Sequence, residues 1–315
     1  MFSGDRMKLY ITYTKDSFTN KQIEQLSNIG EIIFLEDTFN LDEAQYLNDT
    51  DDKILIIDPD WYNWDVNANH LGKIKNLKGI CLSTTAFDWI DLKYCKENNI
   101  VVCNIPKYST DSVAEYAVFL MMCLAKKYPI QAKTDFKMDY SKYMLNTEIR
   151  NKTAGIIGLG TIGTKVANMC NALGMNIIYW NRSEKDNNYK RVNIETIFEE
   201  ADFIFPTFAT NEETKKLITD ELINKMNGNA LINVINNPRE IYNHDLFIKR
   251  AEKEVISYAF ELYGNEKKMY EYKGNIMATA PYAFYTKEAI DRLVAIWCEN
   301  IIALANDKPQ NVVTK

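Results

Sequence analysis

The sequence predicts an α/β protein made of two doubly wound domains, each a parallel sheet with helices on both faces. Three observations carry that prediction. Short runs of β-branched and aromatic residues alternate with segments of helical periodicity along almost the whole chain. A glycine-rich turn, Gly155-Ile156-Ile157-Gly158-Leu159-Gly160-Thr161-Ile162-Gly163, lies between one such strand and one such helix. A polar and aromatic stretch of weak periodicity, Lys127 to Asn151, separates two blocks of alternating elements.

Taken in order, Leu9 to Tyr13 reads as a strand, Asn20 to Asn28 as a helix and Glu31 to Leu35 as a strand. A helix near Leu41 to Leu47, strands at Ile54 to Ile57 and Gly79 to Leu82, a helix at Leu92 to Glu97 and a strand at Ile100 to Cys103 continue the alternation. Strands joined through helices at this spacing pair in parallel. Ser109-Thr110-Asp111 can cap a long apolar helix, Ser112 to Lys126, that is expected to cross to the second domain. Lys127 to Asn151 suits an arm more than a core element. Thr153 to Ile157 is an apolar run of strand length, and Ile162, Val166, Met169, Ala172 and Leu173 give Thr161 to Leu173 helical spacing. Further strands are expected at Asn176 to Trp180, Asp202 to Pro206, Ala230 to Val234, Val255 to Tyr258 and Asn275 to Thr279. Helical or loop segments such as Asp220 to Met226 and Asn243 to Glu252 lie between them. The amphipathic helix Lys287 to Ala305 is expected to return to the first domain, which gives domains of residues 1–104 with 286–315 and of residues 105–285.

The glycine turn reads as the phosphate cradle of a dinucleotide-binding unit. Gly158 permits a tight turn, Gly160 lets backbone approach a pyrophosphate, and Gly163 allows close packing of helix on strand. The helix start at Thr161 and Ile162 offers N–H groups to the anion. The bland alternative is a structural turn. At the end of the next strand stand Asn181-Arg182-Ser183, where an acid would accept from ribose hydroxyls and repel a 2′-phosphate. A guanidinium there pairs with such a phosphate, so NADP(H) is expected as cofactor, with NAD(H) second.

Composition narrows the function further. With 315 residues, 46% of them hydrophobic, the chain can build two real cores. A net charge of -6 without a basic block argues against nucleic acid and anionic membranes as partners. Cys81, Cys95, Cys103, Cys123, Cys170 and Cys298 are scattered with no C-x-x-C pair, as expected of buried thiols in a reducing compartment, and no metal site is expected. Met1 to Lys8 shows no signal-like run, and the longest apolar run, Ala117 to Ala125, is about half a membrane span, so a soluble cytoplasmic protein is expected.

Beyond the glycine cradle, the chain contains Phe87-Asp88-Trp89-Ile90-Asp91, Asn104-Ile105-Pro106, Tyr108 to Glu115, Glu213-Thr214 with Leu217-Ile218, Leu231-Ile232-Asn233-Val234 and Ala283-Phe284-Tyr285-Thr286. On these residues it resembles the D-isomer-specific 2-hydroxyacid dehydrogenases over nearly its whole length, the last segment resembling the lactate dehydrogenase branch. The resemblance implies a flavodoxin-like substrate domain and a Rossmann dinucleotide-binding domain. It also implies hydride transfer between nicotinamide and the carbonyl carbon of a small 2-oxo acid, in a cleft between the domains. Family members are usually homodimers built through the cofactor domain, and the arm of Lys127 to Asn151 would serve that contact.

The resemblance also implies a catalytic arginine, histidine and glutamate, and here the chain departs from the pattern. Asn236-Asn237 stand where the family has Arg-Gly, and an amide forms no charged bidentate clamp. Arg239, three residues on, either reaches the substrate or, as the reading favours, is a surface arginine near a helix start. Pro281 stands at the histidine position and has no proton to give; Tyr282 beside it is the nearest replacement, or else a packing aromatic. The only histidines, His70 and His244, are expected to face solvent. Glu261 matches the family's acid that orients the nicotinamide amide, and Glu266 either its catalytic acid or a loop carboxylate in the polar run Gly264 to Lys268. Thr84-Thr85-Ala86 replace a Gly-rich loop whose backbone N–H groups hold the substrate carboxylate, so Thr85 and Ala86 are the expected substrate contacts. Thr207-Phe208-Ala209 replace H-x-P in the lining of the cofactor pocket.

Two functions are compatible with this pattern. One is an oxidoreductase acting on something other than a simple 2-oxo acid; an imine or conjugated double bond suits a site without the clamp. The other is a cofactor-binding sensor, scaffold or partner subunit without turnover. An ordinary 2-hydroxyacid dehydrogenase is the reading least compatible with the missing acid and clamp.

Overall fold

The computed structural model describes residues 7–35, 44–185, 188–211, 213–215, 217–235, 237–262 and 267–314. They fall into two compact units, Met1–Ser109 with Lys287–Lys315, and Thr110–Thr286. The first is organised around a parallel sheet of β1 (Met7–Ile11), β2 (Gly30–Phe34), β3 (Lys53–Ile57), β4 (Leu77–Leu82) and β5 (Val101–Cys103), in the order β2-β1-β3-β4-β5. Its helices include α1 (Asn20–Ser27), α2 (Gln45–Asn48), α3 (Ala68–Leu71) and α4 (Leu92–Glu97). Side chains of β1 and β3 alternate between two cores: Leu9, Ile11, Ile54 and Ile56 on one face, Tyr10, Leu55 and Ile57 on the other. Burial on both faces explains why β3 reads as an unbroken apolar run after its lysine.

The second unit opens with α5 (Thr110–Ala125) and α6 (Tyr128–Lys133). Then follow β6 (Thr153–Ile157), α7 (Thr161–Ala172), β7 (Asn176–Trp180), β8 (Lys190–Arg191), α8 (Ile194–Glu200) and β9 (Phe203–Pro206). The unit closes with α9 (Asp220–Lys225), β10 (Ala230–Asn233), α10 (Pro238–Ile241), α11 (His244–Glu252), β11 (Ser257–Glu261) and β12 (Ile276–Thr279). The sheet order is β12-β11-β10-β9-β6-β7-β8, with every pair parallel. The order turns back between β6 and β9, and open α/β sheets bind ligands beyond the carboxyl ends of the strands at such a switch point. The final helix, α12 (Lys287–Ala305), packs on β3, β4 and α1 of the first unit. Its Trp297 is fully buried there, and Nε1 donates to the Cys81 carbonyl at 2.9 Å. Both units are therefore doubly wound α/β layers, with apolar clusters on each face of each sheet.

Several elements differ from the sequence expectation. The first strand runs from Met7 and stops at Ile11, not Tyr13. The strand expected at Val255 to Tyr258 is Ser257–Glu261, because Glu254 turns the chain at φ 61 after α11 and delays entry into the ladder. The arm contains a helix, α6: Lys127 at φ 49 ends the path of α5, and Pro129 occupies the first turn of α6, where its missing N–H is no loss. Of the helix expected near Leu41 to Leu47, residues 41–43 lie outside the described residues, and the helix that follows, α2, runs Gln45–Asn48. All six cysteines are buried and unbridged. No helix among the described residues is long and apolar enough to cross a membrane.

Candidate active site

The glycine turn follows directly from β6, whose last four residues are buried. Gly158 has φ +98, and a Cβ there would stand 2.8 Å from the backbone of Phe208, so both conformation and space demand glycine. A Cβ on Gly163 would come within 2.3 Å of the Gly158 carbonyl oxygen and 2.5 Å of Thr207 Oγ1. Thr207 closes the turn by donating to the Gly158 carbonyl at 2.7 Å. Gly160 differs from both. It is the residue before α7, and a Cβ there would meet nothing within 4 Å. Neither packing nor positive φ accounts for glycine at this position, whereas a pyrophosphate drawn to the amino end of α7, with its Thr161 and Ile162, does. The residues present thus fit a dinucleotide.

After β7, Asn181 Nδ2 donates to the Ser183 carbonyl at 2.9 Å. Arg182 is exposed and pairs with Glu213. Arg191, on the edge strand β8, donates through Nη2 to the carbonyls of Asn181 at 2.8 Å and Arg182 at 2.9 Å. The sequence reading did not single out Arg191. Its signal was the Lys190-Arg191 pair, too short to read as a strand, which β7 recruits to the sheet edge.

Glu261 ends β11 and is 3% exposed. Its Oε1 accepts from the Ala283 backbone N–H at 2.8 Å. Burial pushes its carboxyl up to about 7, against the pull of the Ala283 and Tyr282 backbone N–H groups. Ser112 Oγ donates to the Ala283 carbonyl at 2.6 Å, so β11 and α5 together fix the turn carrying Pro281 and Tyr282. Pro281 is exposed, and Tyr282 is 61% exposed with its ring 6.0 Å from that of Tyr285. Tyr282 is a surface side chain of this unit and no part of its core. Asn236 and Glu266 lie outside the described residues.

Asn237 caps α10 by accepting from the Arg239 N–H at 3.2 Å, and Arg239 pairs with Asp245 at 3.2 Å. Both histidines correct the expectation of solvent exposure. His70 is 6% exposed, its Nε2 bonded to the Tyr46 hydroxyl at 2.9 Å. His244 is 2% exposed, and its Nδ1 meets the Tyr258 hydroxyl at 2.8 Å. The chain of contacts continues from Tyr258 to the Tyr242 hydroxyl at 2.9 Å and from Tyr242 to Asn233 Nδ2 at 2.9 Å. Tyrosine partners are what let each imidazole leave water. Burial, with help from Arg239, pushes His244 down to about 4.

In the first unit Thr85 and Ala86 are exposed. Thr85 Oγ1 donates to the Ile105 carbonyl at 2.6 Å, and the Thr85 carbonyl accepts from Asn104 Nδ2 at 2.8 Å. The Ala86 carbonyl accepts from Thr84 Oγ1 at 2.7 Å and from Trp89 Nε1 at 3.0 Å. The loop is braced without glycine. Among the described residues, no cluster of three or more His, Cys, Asp or Glu could hold a metal.

Comparison with known proteins agrees with this geometry. Residues 118–266 match the family model for the NAD-binding domain of D-isomer specific 2-hydroxyacid dehydrogenases. A Staphylococcus haemolyticus protein assigned as a 2-hydroxyacid dehydrogenase is 30% identical over 266 residues, 80% of this chain and 83% of that protein. The D-3-phosphoglycerate dehydrogenase of Archaeoglobus fulgidus is 31% identical over 258 residues, 78% of this chain and 48% of that longer protein. Among solved structures, an acyclic imino acid reductase in complex with NADPH and D-Arg superposes with a TM-score of 0.83 at 26% identity, covering 98% of this chain and 99% of that one. The apo D-lactate dehydrogenase of Escherichia coli shares the fold, with a TM-score of 0.80 at 22% identity over 98% and 100% of the two chains. With its Rossmann unit for a nicotinamide cofactor, the chain belongs to the D-isomer specific 2-hydroxyacid dehydrogenase family.

Proposed function

We propose that this chain reduces the C=N bond of a small imino acid, giving an amino acid, with NADPH as the preferred cofactor. The observation that carries the proposal is Pro281 at the position of the family's proton-donating histidine. A carbonyl becomes an alkoxide on hydride addition and needs an acid and a polarising cation. A protonated imine needs neither: its carbon gains the hydride, the C=N electron pair moves to nitrogen, and the product is a neutral amine. Loss of the arginine, with Asn236-Asn237 in its place, fits the same substrate, because a guanidinium would repel an iminium. The imino acid reductase among the structural neighbours supports this choice of substrate and of NADPH.

When bound, the reduced nicotinamide supplies the hydride. In this reading the N–H groups at Thr161 and Ile162 hold the pyrophosphate, which the bare Cα of Gly160 lets approach, while Arg182, braced beside Arg191, pairs with the 2′-phosphate and Asn181 and Ser183 line the ribose. Gly158, Gly163 and Thr207 shape the turn, and Glu261 fixes the segment presenting Tyr282. Tyr282 offers its hydroxyl to the substrate nitrogen or carboxylate, Glu266 supplies a second carboxyl, and Thr85 and Ala86 offer backbone N–H groups to the substrate carboxylate. The division into a substrate domain (1–104 with 286–315) and a cofactor domain (105–285), homodimer formation and a cytoplasmic location belong to the same proposal.

A second reading, cofactor binding without turnover, draws on the commitment of both histidines to buried hydrogen-bond chains. NADPH oxidation by the purified protein, with a panel of 2-oxo acids in the presence and absence of ammonium, separates the two. Oxidation that requires ammonium is expected; oxidation by the 2-oxo acid alone contradicts the proposal, and binding without oxidation under any condition favours the second reading.

A further inference from the structure

In the first sheet the outer edge of β5 is covered by a strap, Asn311 to Thr314, which lies antiparallel beside it with Val312 opposite Cys103. The Asn104 N–H donates to the Asn311 carbonyl at 3.1 Å, and the Val313 N–H to the Val102 carbonyl at 2.9 Å. Thr314 Oγ1 accepts from the Val102 N–H at 3.3 Å. Asn300 of α12 joins the same cluster and is fully buried. Its Nδ2 donates to the Asn104 carbonyl at 2.9 Å, and its Oδ1 accepts from Asn311 Nδ2 at 2.8 Å. A carbonyl only accepts, so the orientation of the Asn300 amide is fixed. A buried amide is stable only when paired, and Asn300 thereby ties α12, the strap and Asn104 together.

Asn104 is held at its own N–H and carbonyl, and its side chain reaches the loop after β4. Asn104 Nδ2 donates to the Thr85 carbonyl at 2.8 Å, and the N–H of the next residue, Ile105, donates to the Thr84 carbonyl at 3.0 Å. Two consecutive carbonyls are drawn towards the end of β5. A planar trans peptide sets its N–H opposite its C=O. Fixing the carbonyls of Thr84 and Thr85 therefore aims the N–H groups of Thr85 and Ala86 away from β5, side by side. Among the described residues neither of these N–H groups meets an acceptor of the chain. Without the two donors each peptide plane is free to rotate, and the N–H pair loses its common direction.

We propose that Asn104 is a positioning residue for the substrate carboxylate, and that the strap, acting through Asn311 and Asn300, sets the strength of carboxylate binding from outside the loop. The inference rests on the reading of Thr85 and Ala86 as donors to that carboxylate, and is independent of imine chemistry.

NMR of the full chain, following the amide resonances of Thr85 and Ala86 during titration with pyruvate in the absence of cofactor, tests it. Both resonances are expected to shift. Asn104→Ala should raise the dissociation constant about tenfold, and Asn311→Ala, which leaves the backbone bonds of the strap in place, about threefold or more. NADPH affinity, which belongs to the second unit, should stay at the parent value in both variants. Should Asn104→Ala fail to fold, Asn311→Ala decides alone. NADPH oxidation with pyruvate and ammonium in the same samples separates the two ideas: the expected shifts without oxidation remove the imine reading and leave the positioning role standing. Three results would overturn the proposal: Thr85 and Ala86 resonances unmoved by pyruvate, parent affinity for pyruvate in both variants, or parallel losses of pyruvate and NADPH affinity.

Discussion

Glu261 and Ala283 are joined by a 2.8 Å hydrogen bond from backbone N–H to a buried carboxyl, and the turn with Pro281 and Tyr282 depends on it. The carboxyl is held up at about 7 in the folded state, above its ordinary 4.5. The folded chain therefore binds more protons than the unfolded chain between those values. Stability contributed by this group is present below pH 4.5 and is lost as pH rises through 7, by up to about 3 kcal/mol. Glu261→Gln keeps the acceptor and removes the charge. It should be more stable than the parent by about 1–3 kcal/mol at pH 8, with the gap closing towards pH 5, as read by denaturant unfolding across that range. A gap independent of pH would show that Glu261 ionises as an ordinary surface carboxylate does.

Gly160 and Gly163 should respond oppositely to the same change. Alanine at 160 enters open space, so stability should move by no more than about 0.5 kcal/mol while NADPH affinity falls about tenfold or more. Alanine at 163 meets the Gly158 carbonyl oxygen and should destabilise the fold by about 1–3 kcal/mol. Thermal unfolding beside a cofactor titration reads both effects, and unchanged NADPH affinity in Gly160→Ala would remove the pyrophosphate from this turn.

The glycine turn was legible in the sequence because its spacing encodes backbone geometry, which side-chain partners elsewhere cannot alter. The sheets were legible for a related reason: β3 and β6 are covered on both faces, so their apolar runs admit little else. The histidines were not legible. A lone imidazole reads as polar, and His244 is buried only because Tyr258, distant until β11 is laid against α11, supplies its hydrogen bond. Arg191 escaped for the same reason, being defined by an edge strand of two residues that exists only through its pairing with β7.

His244 gives a second and opposite pH dependence. Its folded value of about 4 lies below the ordinary 6.5, so the unfolded chain binds the extra proton between them. Stability from this group is therefore complete above pH 6.5 and is lost as pH falls towards 4, by up to about 3 kcal/mol. His244→Leu leaves the Tyr258 hydroxyl without its imidazole partner and should cost about 1–3 kcal/mol at pH 7, but less at pH 4.5. Denaturant unfolding of the variant at the two pH values checks this, and a cost that grows on acidification would contradict it.

Arg182 and Glu213 make a competing pair. Arg182→Ala should lower NADPH affinity about tenfold and leave NADH affinity unchanged, since only the 2′-phosphate needs the guanidinium. Glu213→Gln, by releasing Arg182 from its carboxylate, should raise NADPH affinity. Fluorescence titration with both cofactors measures each effect, and parallel losses for NADPH and NADH in Arg182→Ala would dismiss the phosphate contact.

The most direct measurement is the mass of the product formed from pyruvate, ¹⁵N-ammonium and NADPH deuterated at the transferring position. The proposal predicts alanine carrying both deuterium and ¹⁵N; deuterated lactate, formed at the same rate without ammonium, would contradict it.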